Sequence, residues 1–335
     1  MMFNVEVKDT GAILTDLLTT IRNFQGGESV YVSRLQVDDR LTPTTTGLSL
    51  SSLGIMESQL PETLNILGLC SLTLSAPHDL EALSRLSLTL PAGQTEEHAL
   101  AFFNNEAVIE DLRSLFRDCH TVAFDDWATL HGASALWDGL LTNVIKPLGK
   151  NDLEFIFYLG NPERKHTFEV DEALDIISDF SKHGKVTLAL DENEAVKLWM
   201  VLNGVNDNTP ITKQSLADRK RNYFSMFRTL NLAHLLIWSA NDVIFFSNEQ
   251  QFMLSRKQGD LTIETAPKAR QNFIAGYSLG LLMHLDVAHC ILMGLVVYDS
   301  FGELNKDPEQ KDLSRYIQQW IEDLQNTESI HLYQD

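Results

Sequence analysis

The chain has 335 residues, of which 44% are apolar, so it is long and apolar enough to bury a substantial core. Its 26 basic and 46 acidic residues give a formal net charge of -20, which excludes a basic surface that binds the phosphate backbone of a nucleic acid. No basic segment followed by an apolar one opens the chain, and His284, Asp286 and His289 interrupt the longest apolar run, 273–298, so neither export nor a membrane span is predicted.

The first part of the chain predicts one helix followed by short strands. Residues 10–24 carry a helical period, whereas 29–37 and 83–90 alternate as strands do. These pieces predict a small antiparallel β extension of a larger sheet, which we expect to act as a lid or as the surface of a homodimer. We expect residues 1–95 to form this N-terminal part and 96–335 the α/β core of one continuous domain.

The rest of the chain predicts alternating strands and helices. Runs rich in Val, Ile, Leu and Phe predict strands at 64–74, 120–126, 153–159, 185–190, 234–239 and 242–247. Helical periods predict helices at 104–116, 133–148, 170–184, 193–204 and 307–325, with Gly184 and Gly204 as C-terminal caps and Asp307 and Pro308 opening the last helix. The alternation predicts an α/β fold with a mainly parallel central sheet.

A buried helix is predicted in the segment ETAPKARQNFIAGYSLGLL, residues 264–282. Pro267 suits the first position of that helix, because its missing N–H group needs no partner there. Small residues, Ala275, Gly276 and Ser278, stand among large apolar ones.

The order of these elements resembles the ribokinase-like, PfkB-type carbohydrate kinases from about Leu100 to Asn305. In that family a Gly-Ala-Gly-Asp turn opens a helix that continues as Phe-x-Ala-Gly-Phe, and the sequence from Asn272 to Tyr277, NFIAGY, is similar to the second part. The resemblance implies a three-layer ribokinase-like sandwich with a lid. It also implies that Asn272 lies in a cleft for substrate or nucleotide, with ATP and Mg²⁺ as cofactors of an active enzyme.

The first part of that motif is changed. In the family, glycine N–H groups hold the transferring phosphate and the aspartate takes the proton of the attacking hydroxyl. Here Lys268, Ala269 and Arg270 fill the anion turn, and Gln271 stands at the position of the base, where an amide cannot accept that proton. Lys268 and Arg270 either hold phosphate through their side chains or are ordinary solvated residues of a first helical turn.

Other family positions imply a metal site and two cleft segments. The Asn-x-x-Glu motif that organises magnesium corresponds to Asp191 and Glu194, for which helix capping is the alternative. The strand and turn IFYLGNPERKHTFEV implies cleft roles for Asn161 and Arg164, and a polar turn is the alternative. The loop on the nucleotide side contains Asn241 but no glycine, so its opening for adenine and ribose is in question.

Some clusters stand outside the family motifs. Asp125 and Asp126 follow a strand at the sheet edge where α/β proteins bind ligands, or else cap the next helix. The spacing of His284, Asp286, His289 and Cys290 favours a structural role over a zinc site. The cysteines, Cys70, Cys119 and Cys290, show no paired spacing, and a reducing cytoplasm fits them best. The five tryptophans are expected in the core or an interface.

Two functions follow from these residues. One is a catalytically silent relative of the sugar kinases that keeps the scaffold for binding a sugar or nucleotide ligand or a partner. The other is an active ATP-dependent carbohydrate kinase with a base from another residue. The changes at the base, at the anion turn and at the nucleotide-side loop favour the first.

Overall fold

The computed structural model describes most of the second half of the chain and parts of the first half. The described ranges are 5–23, 31–37, 43–49, 54–58, 69–74, 103–124, 127–129, 132–205, 216–239, 241–257, 267–304 and 308–331.

Eleven strands of the described residues form one sheet. They are β1 Glu6–Val7, β2 Tyr31–Val37, β3 Pro43–Ser49, β4 Gly54–Ser58, β5 Leu69–Leu74, β6 Cys119–Phe124, β7 Leu153–Phe157, β8 Gly184–Asp191, β9 His234–Trp238, β10 Asp242–Ser247 and β11 Gln251–Ser255. Their spatial order is β1-β11-β10-β9-β8-β7-β6-β5-β2-β3-β4. The central strands β6 to β9 pair in parallel, whereas β5, β2, β3 and β4 on one side and β10 and β11 on the other pair antiparallel to their inner neighbours.

Helices cover both faces of this sheet. They are α1 Thr10–Asn23, α2 Glu106–Asp118, α3 Ala133–Leu140, α4 Thr167–Phe180, α5 Glu192–Asn203, α6 Leu216–Leu230, α7 Pro267–Leu282, α8 Val287–Leu304 and α9 Gln310–His331. Helices α2 to α6 share one hydrophobic core with the sheet, and α1, α7, α8 and α9 share the other. The predicted three-layer α/β architecture is confirmed.

The two cores form because successive side chains of a strand point to opposite faces of the sheet. Phe155 and Phe157 of β7 face the α2–α6 layer, and Ile156 between them faces the α7–α9 layer. A strand buried on both faces reads as a continuous apolar run, as LEFIF does here. The rings of Phe124 and Phe157 stack across neighbouring strands at 4.6 Å, which adds aromatic contact to this burial.

Helices α7 and α8 pack closely through glycines. A Cβ atom at Gly276 would lie 2.5 Å from the backbone oxygen of Met293, and one at Gly280 would lie 2.8 Å from Cα of Cys290. Helix α8 is long and apolar enough by composition to cross a membrane, but 67% of it is buried in the fold. Because α8 is buried against α7, its apolar composition is that of a core helix.

The predicted central strands and helices are confirmed, with differences at some boundaries. Gly204 ends α5 in the left-handed conformation, φ 61°, as a C-terminal cap. The prediction that Gly184 caps α4 is wrong: α4 ends at Phe180, and Gly184 starts β8, where a Cβ would lie 2.2 Å from the backbone oxygen of Leu153. Helix α9 begins at Gln310, two residues after Pro308.

The N-terminal strands form an antiparallel extension of the central sheet, as predicted. Strand β5 pairs with β6 of the parallel centre, and β2, β3 and β4 continue from β5 in the same sheet. The predicted strand at 83–90 lies outside the described residues.

Candidate functional site

The carboxyl ends of the parallel strands β6 to β9 meet at one edge of the sheet, because their registers run in the same direction. The predicted site residues that follow β7, β8 and β9 therefore come to this edge. Phe273 of α7 stacks on Trp238, the last residue of β9, at 5.5 Å, so α7 also begins there. Asn272, beside Phe273, is buried.

Asp191 and Glu194 close a reciprocal capping box at the start of α5. The backbone N–H of Glu194 donates to Oδ1 of Asp191 at 2.8 Å, and the backbone N–H of Asp191 donates to Oε2 of Glu194 at 3.0 Å. Both residues are buried, with 9% and 4% exposure. Asp191 and Glu194 therefore cap α5, which is the role that the sequence offered as the alternative to magnesium binding.

Magnesium prefers six oxygen ligands in octahedral geometry. Each of these two carboxylates uses an oxygen on a backbone N–H, and the described residues contain no group of three or more His, Cys, Asp or Glu that could hold a metal ion. The pair by itself does not fit a metal cage, and a magnesium role for Asp191 and Glu194 stays a prediction.

Ion pairs fix the elements around α5. Lys197 of α5 bonds Glu163 of the turn after β7 at 2.8 Å. Glu192 of α5 pairs with Arg219 of α6. These contacts hold the end of β7 and the start of α5 side by side at the candidate site.

The turn after β7 is built by Asn161. Its side chain accepts the backbone N–H of Glu163 at 3.1 Å and caps the short 3-10 helix Pro162–Arg164. The Arg164 side chain is exposed. Asp125 and Asp126, predicted at the end of β6, lie outside the described residues.

The turn between β9 and β10 satisfies its polar groups internally. Oγ of Ser239 accepts the backbone N–H groups of Asn241 and Asp242 at 3.2 and 3.1 Å and bonds Oδ1 of Asp242 at 3.0 Å. The Asn241 carbonyl accepts the backbone N–H of Arg256 at 2.8 Å. Hydrogen bonds within the turn and to the residue after β11 therefore hold this turn in place.

A buried ion pair behind this turn escaped the sequence analysis. Nη2 of Arg256 lies 2.8 Å from Oδ1 of Asp299 on α8, and Nη1 of Arg256 donates to the Ser239 carbonyl at 2.8 Å. The two side chains are 5% and 4% exposed. Burial raises the pKa of Asp299, although Arg256 opposes this shift. A single carboxylate within the apolar sequence VAHCILMGLVVYDS was the signal that could have indicated a buried partner.

Helix α7 begins at Pro267, as predicted, and includes residues 268–271 in its first turns. The free backbone N–H groups of a helix belong to its first four residues, and proline has none, so here they belong to Lys268, Ala269 and Arg270. The backbone at Gln271 is therefore helical rather than a separate glycine turn. The side chains of 268–271 lie outside the described atoms.

The cluster near the start of α8 is a cap. Oδ1 of Asp286 accepts the backbone N–H groups of Ala288 and His289 at 2.9 and 3.2 Å, and its Oδ2 lies 2.9 Å from Nδ1 of His289. Burial raises the pKa of Cys290 to about 12, which disfavours a thiolate ligand. The structural interpretation of this cluster agrees with these contacts.

No protein-family model matches the chain, and no curated protein matches it. Among solved structures the chain is similar to a carbohydrate kinase from Agrobacterium tumefaciens, with 14% identity, 68% of this chain and 62% of that chain covered, and a TM-score of 0.41. It is similar to a PfkB protein from Polaromonas sp. JS666, with 16% identity, 61% and 60% coverage and a TM-score of 0.37. It is also similar to a nucleoside kinase of Methanocaldococcus jannaschii, an archaeal member of the ribokinase family, with 10% identity, 59% and 55% coverage and a TM-score of 0.37. The chain spans less than two thirds of the length of these kinases.

Proposed function

We propose that this chain is a ligand-binding relative of the ribokinase-like carbohydrate kinases whose phosphoryl transfer is lost or much reduced. The observation that carries this proposal is the start of α7. Residues 268–271 continue the helix from Pro267, and the position that resembles the family base is the amide Gln271. Removal of a positioned base costs about 10² to 10⁴ in rate.

The start of α7 keeps features that favour an anion. Helix N-termini bind phosphate through free N–H groups and the helix dipole, and Lys268 and Arg270 add positive charge within the first turn. Binding of a nucleotide or a sugar phosphate therefore needs no base. The proposed protein binds such a ligand at the carboxyl edge of the sheet, in the cytoplasm, without transferring the phosphoryl group.

The alternative is an active ATP- and magnesium-dependent kinase. The observation that favours it is the pair of acidic residues at the same edge, Asp191 and Glu194. In the sequence, Asp125 and Asp126 follow β6. The base would then come from another residue, and Asp191 and Glu194 would hold magnesium.

The test compares binding with turnover. We expect ATP, ADP or a sugar phosphate to raise the melting temperature, since a ligand at about 100 times its Kd stabilises by about 2.7 kcal/mol. We expect no phosphorylated product across a panel of sugars and nucleosides. Turnover by the wild-type chain at an ordinary kinase rate, about 1 to 100 s⁻¹, would contradict the proposal.

A gain of activity tests the assigned positions. The triple substitution Lys268→Gly, Arg270→Gly and Gln271→Asp restores the family turn, and we expect measurable phosphoryl transfer to appear. The matched control replaces Gln271 by Asn with the same two glycines, so it has the turn but no base. Activity in both variants, or in neither while nucleotide still binds, would refute the role assigned to position 271.

We further propose a homodimer through the N-terminal strands. Strand β4 stands at one end of the strand order, and an edge strand offers unpaired N–H and carbonyl groups to a second copy. Size-exclusion chromatography with light scattering tests this, and substitution of Ile55 by Pro within β4 should yield monomers. A wild-type monomer at high concentration would exclude this assembly.

A further inference from the structure

A second surface lies apart from the candidate site, on the outer side of α3 and α4. It is a groove of about 820 Å³ between these helices and the residues before α2. Its lining includes none of the site residues discussed above. We call it the outer groove and define it by Phe103, Asp138, Phe168, Asp171, Glu172 and Asp175.

The acidic residues of the outer groove differ from most others in the described part of the chain. Asp138, Asp171, Glu172 and Asp175 are exposed, and no described cation lies within ion-pair distance of them. By contrast, the acidic residues on either side along α4 are paired: Glu169 lies 3.7 Å from Lys165, and Asp179 lies 2.5 Å from Lys182. Like charges at this spacing on a helix destabilise it slightly. Four exposed carboxylates with no ion pair among the described residues therefore lie together in the groove.

The same groove exposes aromatic surface. Phe168 is 68% exposed, and its ring stacks on His166 at 5.6 Å. Covering a phenylalanine ring contributes about 1.5 to 3 kcal/mol, so leaving Phe168 in water has a cost that a binding partner would remove. Phe103 continues the apolar lining, and it lies against Gly139, where a Cβ would approach its ring to 2.4 Å.

We propose that the outer groove docks a basic amphipathic segment of a partner protein. Lysine or arginine side chains of that segment pair with Asp138, Asp171 and Asp175, and its apolar side chains cover Phe168. Charge complementarity selects this occupant. A second copy of the chain, with a net charge of -20, brings like charge to the groove. A metal ion lacks ligands, because no group of three acidic residues within the described part has metal-binding geometry.

The experiment uses the full chain and a labelled synthetic peptide that repeats Lys-Leu-Leu-Lys, with binding followed by fluorescence anisotropy. We expect saturable binding to the wild type. Phe168→Ala and the pair Asp171→Asn with Asp175→Asn should each weaken it about tenfold, equivalent to about 1.4 kcal/mol. The matched control, Asp16→Asn with Glu322→Gln, makes the same charge change on exposed residues outside the groove and should alter Kd less than about twofold.

Each other outcome would overturn the proposal. The first is that the wild type does not bind the peptide, and the second is that the control pair weakens binding as much as the groove variants do. The third is that Phe168→Ala leaves binding unchanged while spermine abolishes it, which would indicate unspecific attraction of cations. A dimer that Phe168→Ala dissociates would instead identify a second copy as the occupant. Circular dichroism melts verify that each variant is folded, as the exposure of these side chains leads us to expect.

Discussion

The starts of α5 and α7 lie at the same edge of the sheet but relate differently to the kinase motifs that they resemble. At α5, the residues in the motif positions, Asp191 and Glu194, close the capping box that starts the helix. At α7, the well-matched residue Gly276 lies where the backbone of α8 approaches, and the changed residues, 268–271, form an ordinary helical start. The residues that the fold itself requires are therefore present, whereas residues 268–271 differ from the Gly-Ala-Gly-Asp turn of the motif that they resemble.

This difference explains why a motif match is weak support for activity when the fold also requires the matched residues. A capping box stabilises any helix with that start, and a glycine is required wherever two helix backbones come this close. Helix formation alone, by contrast, does not select the residue at position 271, since a helix accepts either glutamine or aspartate in its first turns. Its side chain is therefore the better indicator of chemistry.

The largest expected effect concerns the ion pair that connects the β9–β10 turn to α8. Arg256→Met leaves Asp299 buried without its partner, and we expect a loss of about 3 to 5 kcal/mol in the free energy of unfolding, measured by urea denaturation. Combining it with Asp299→Asn should cost less than the sum of the two single changes. Lys257→Met is the control, because Lys257 forms longer pairs with Glu303 and Asp323, which are partly exposed, and should cost about 1 kcal/mol or less. Equal losses at 256 and 257 would show that the buried pair has no special role.

A smaller effect is expected at the contact of α7 with α8. Gly276→Ala places a methyl group 2.5 Å from the Met293 carbonyl oxygen, and we expect a loss of about 1 to 3 kcal/mol through overpacking. Ser278→Ala, two residues later, removes a buried hydroxyl that has no hydrogen-bond partner among the described residues and should be nearly neutral or stabilising. If Gly276→Ala leaves thermal stability unchanged, the close approach of α8 does not explain why position 276 is glycine.

The smallest effect is expected at the α5 cap. Asp191→Ala should cost about 1 kcal/mol, whereas Asp191→Asn keeps an oxygen acceptor and should cost little. Asn193→Ala, an exposed position in the same turn, is the control. Thermal melts with and without magnesium then separate the two interpretations of Asp191. A magnesium-dependent stabilisation that Asp191→Asn abolishes would support the metal site and contradict capping as its sole role.

Sequence reasoning located the elements of the parallel centre to within a few residues, because each is specified by local pattern. LEFIF has the pattern of a strand buried on both faces, and Asp191 with Glu194 allowed either a helix cap or a magnesium site, of which the structure shows the cap. It failed at Gly184, where the reason for glycine is the neighbouring strand rather than a helix end. The pairing of Arg256 with Asp299 was missed because the two residues are 43 positions apart, and the lone carboxylate in the apolar α8 indicates a buried partner without identifying it.

The amino-acid sequence by itself determined the class of fold, the helix cap at Gly204 and the absence of a carboxylate at position 271, since period, capping and side-chain identity are local properties. Only the tertiary structure decided that the N-terminal strands join the central sheet through β5 and β6 and that a buried ion pair fastens the β9–β10 turn. It also decided that four unpaired carboxylates and Phe168 share one groove. Those features depend on which distant surfaces meet, and that choice is made by the burial of the whole core.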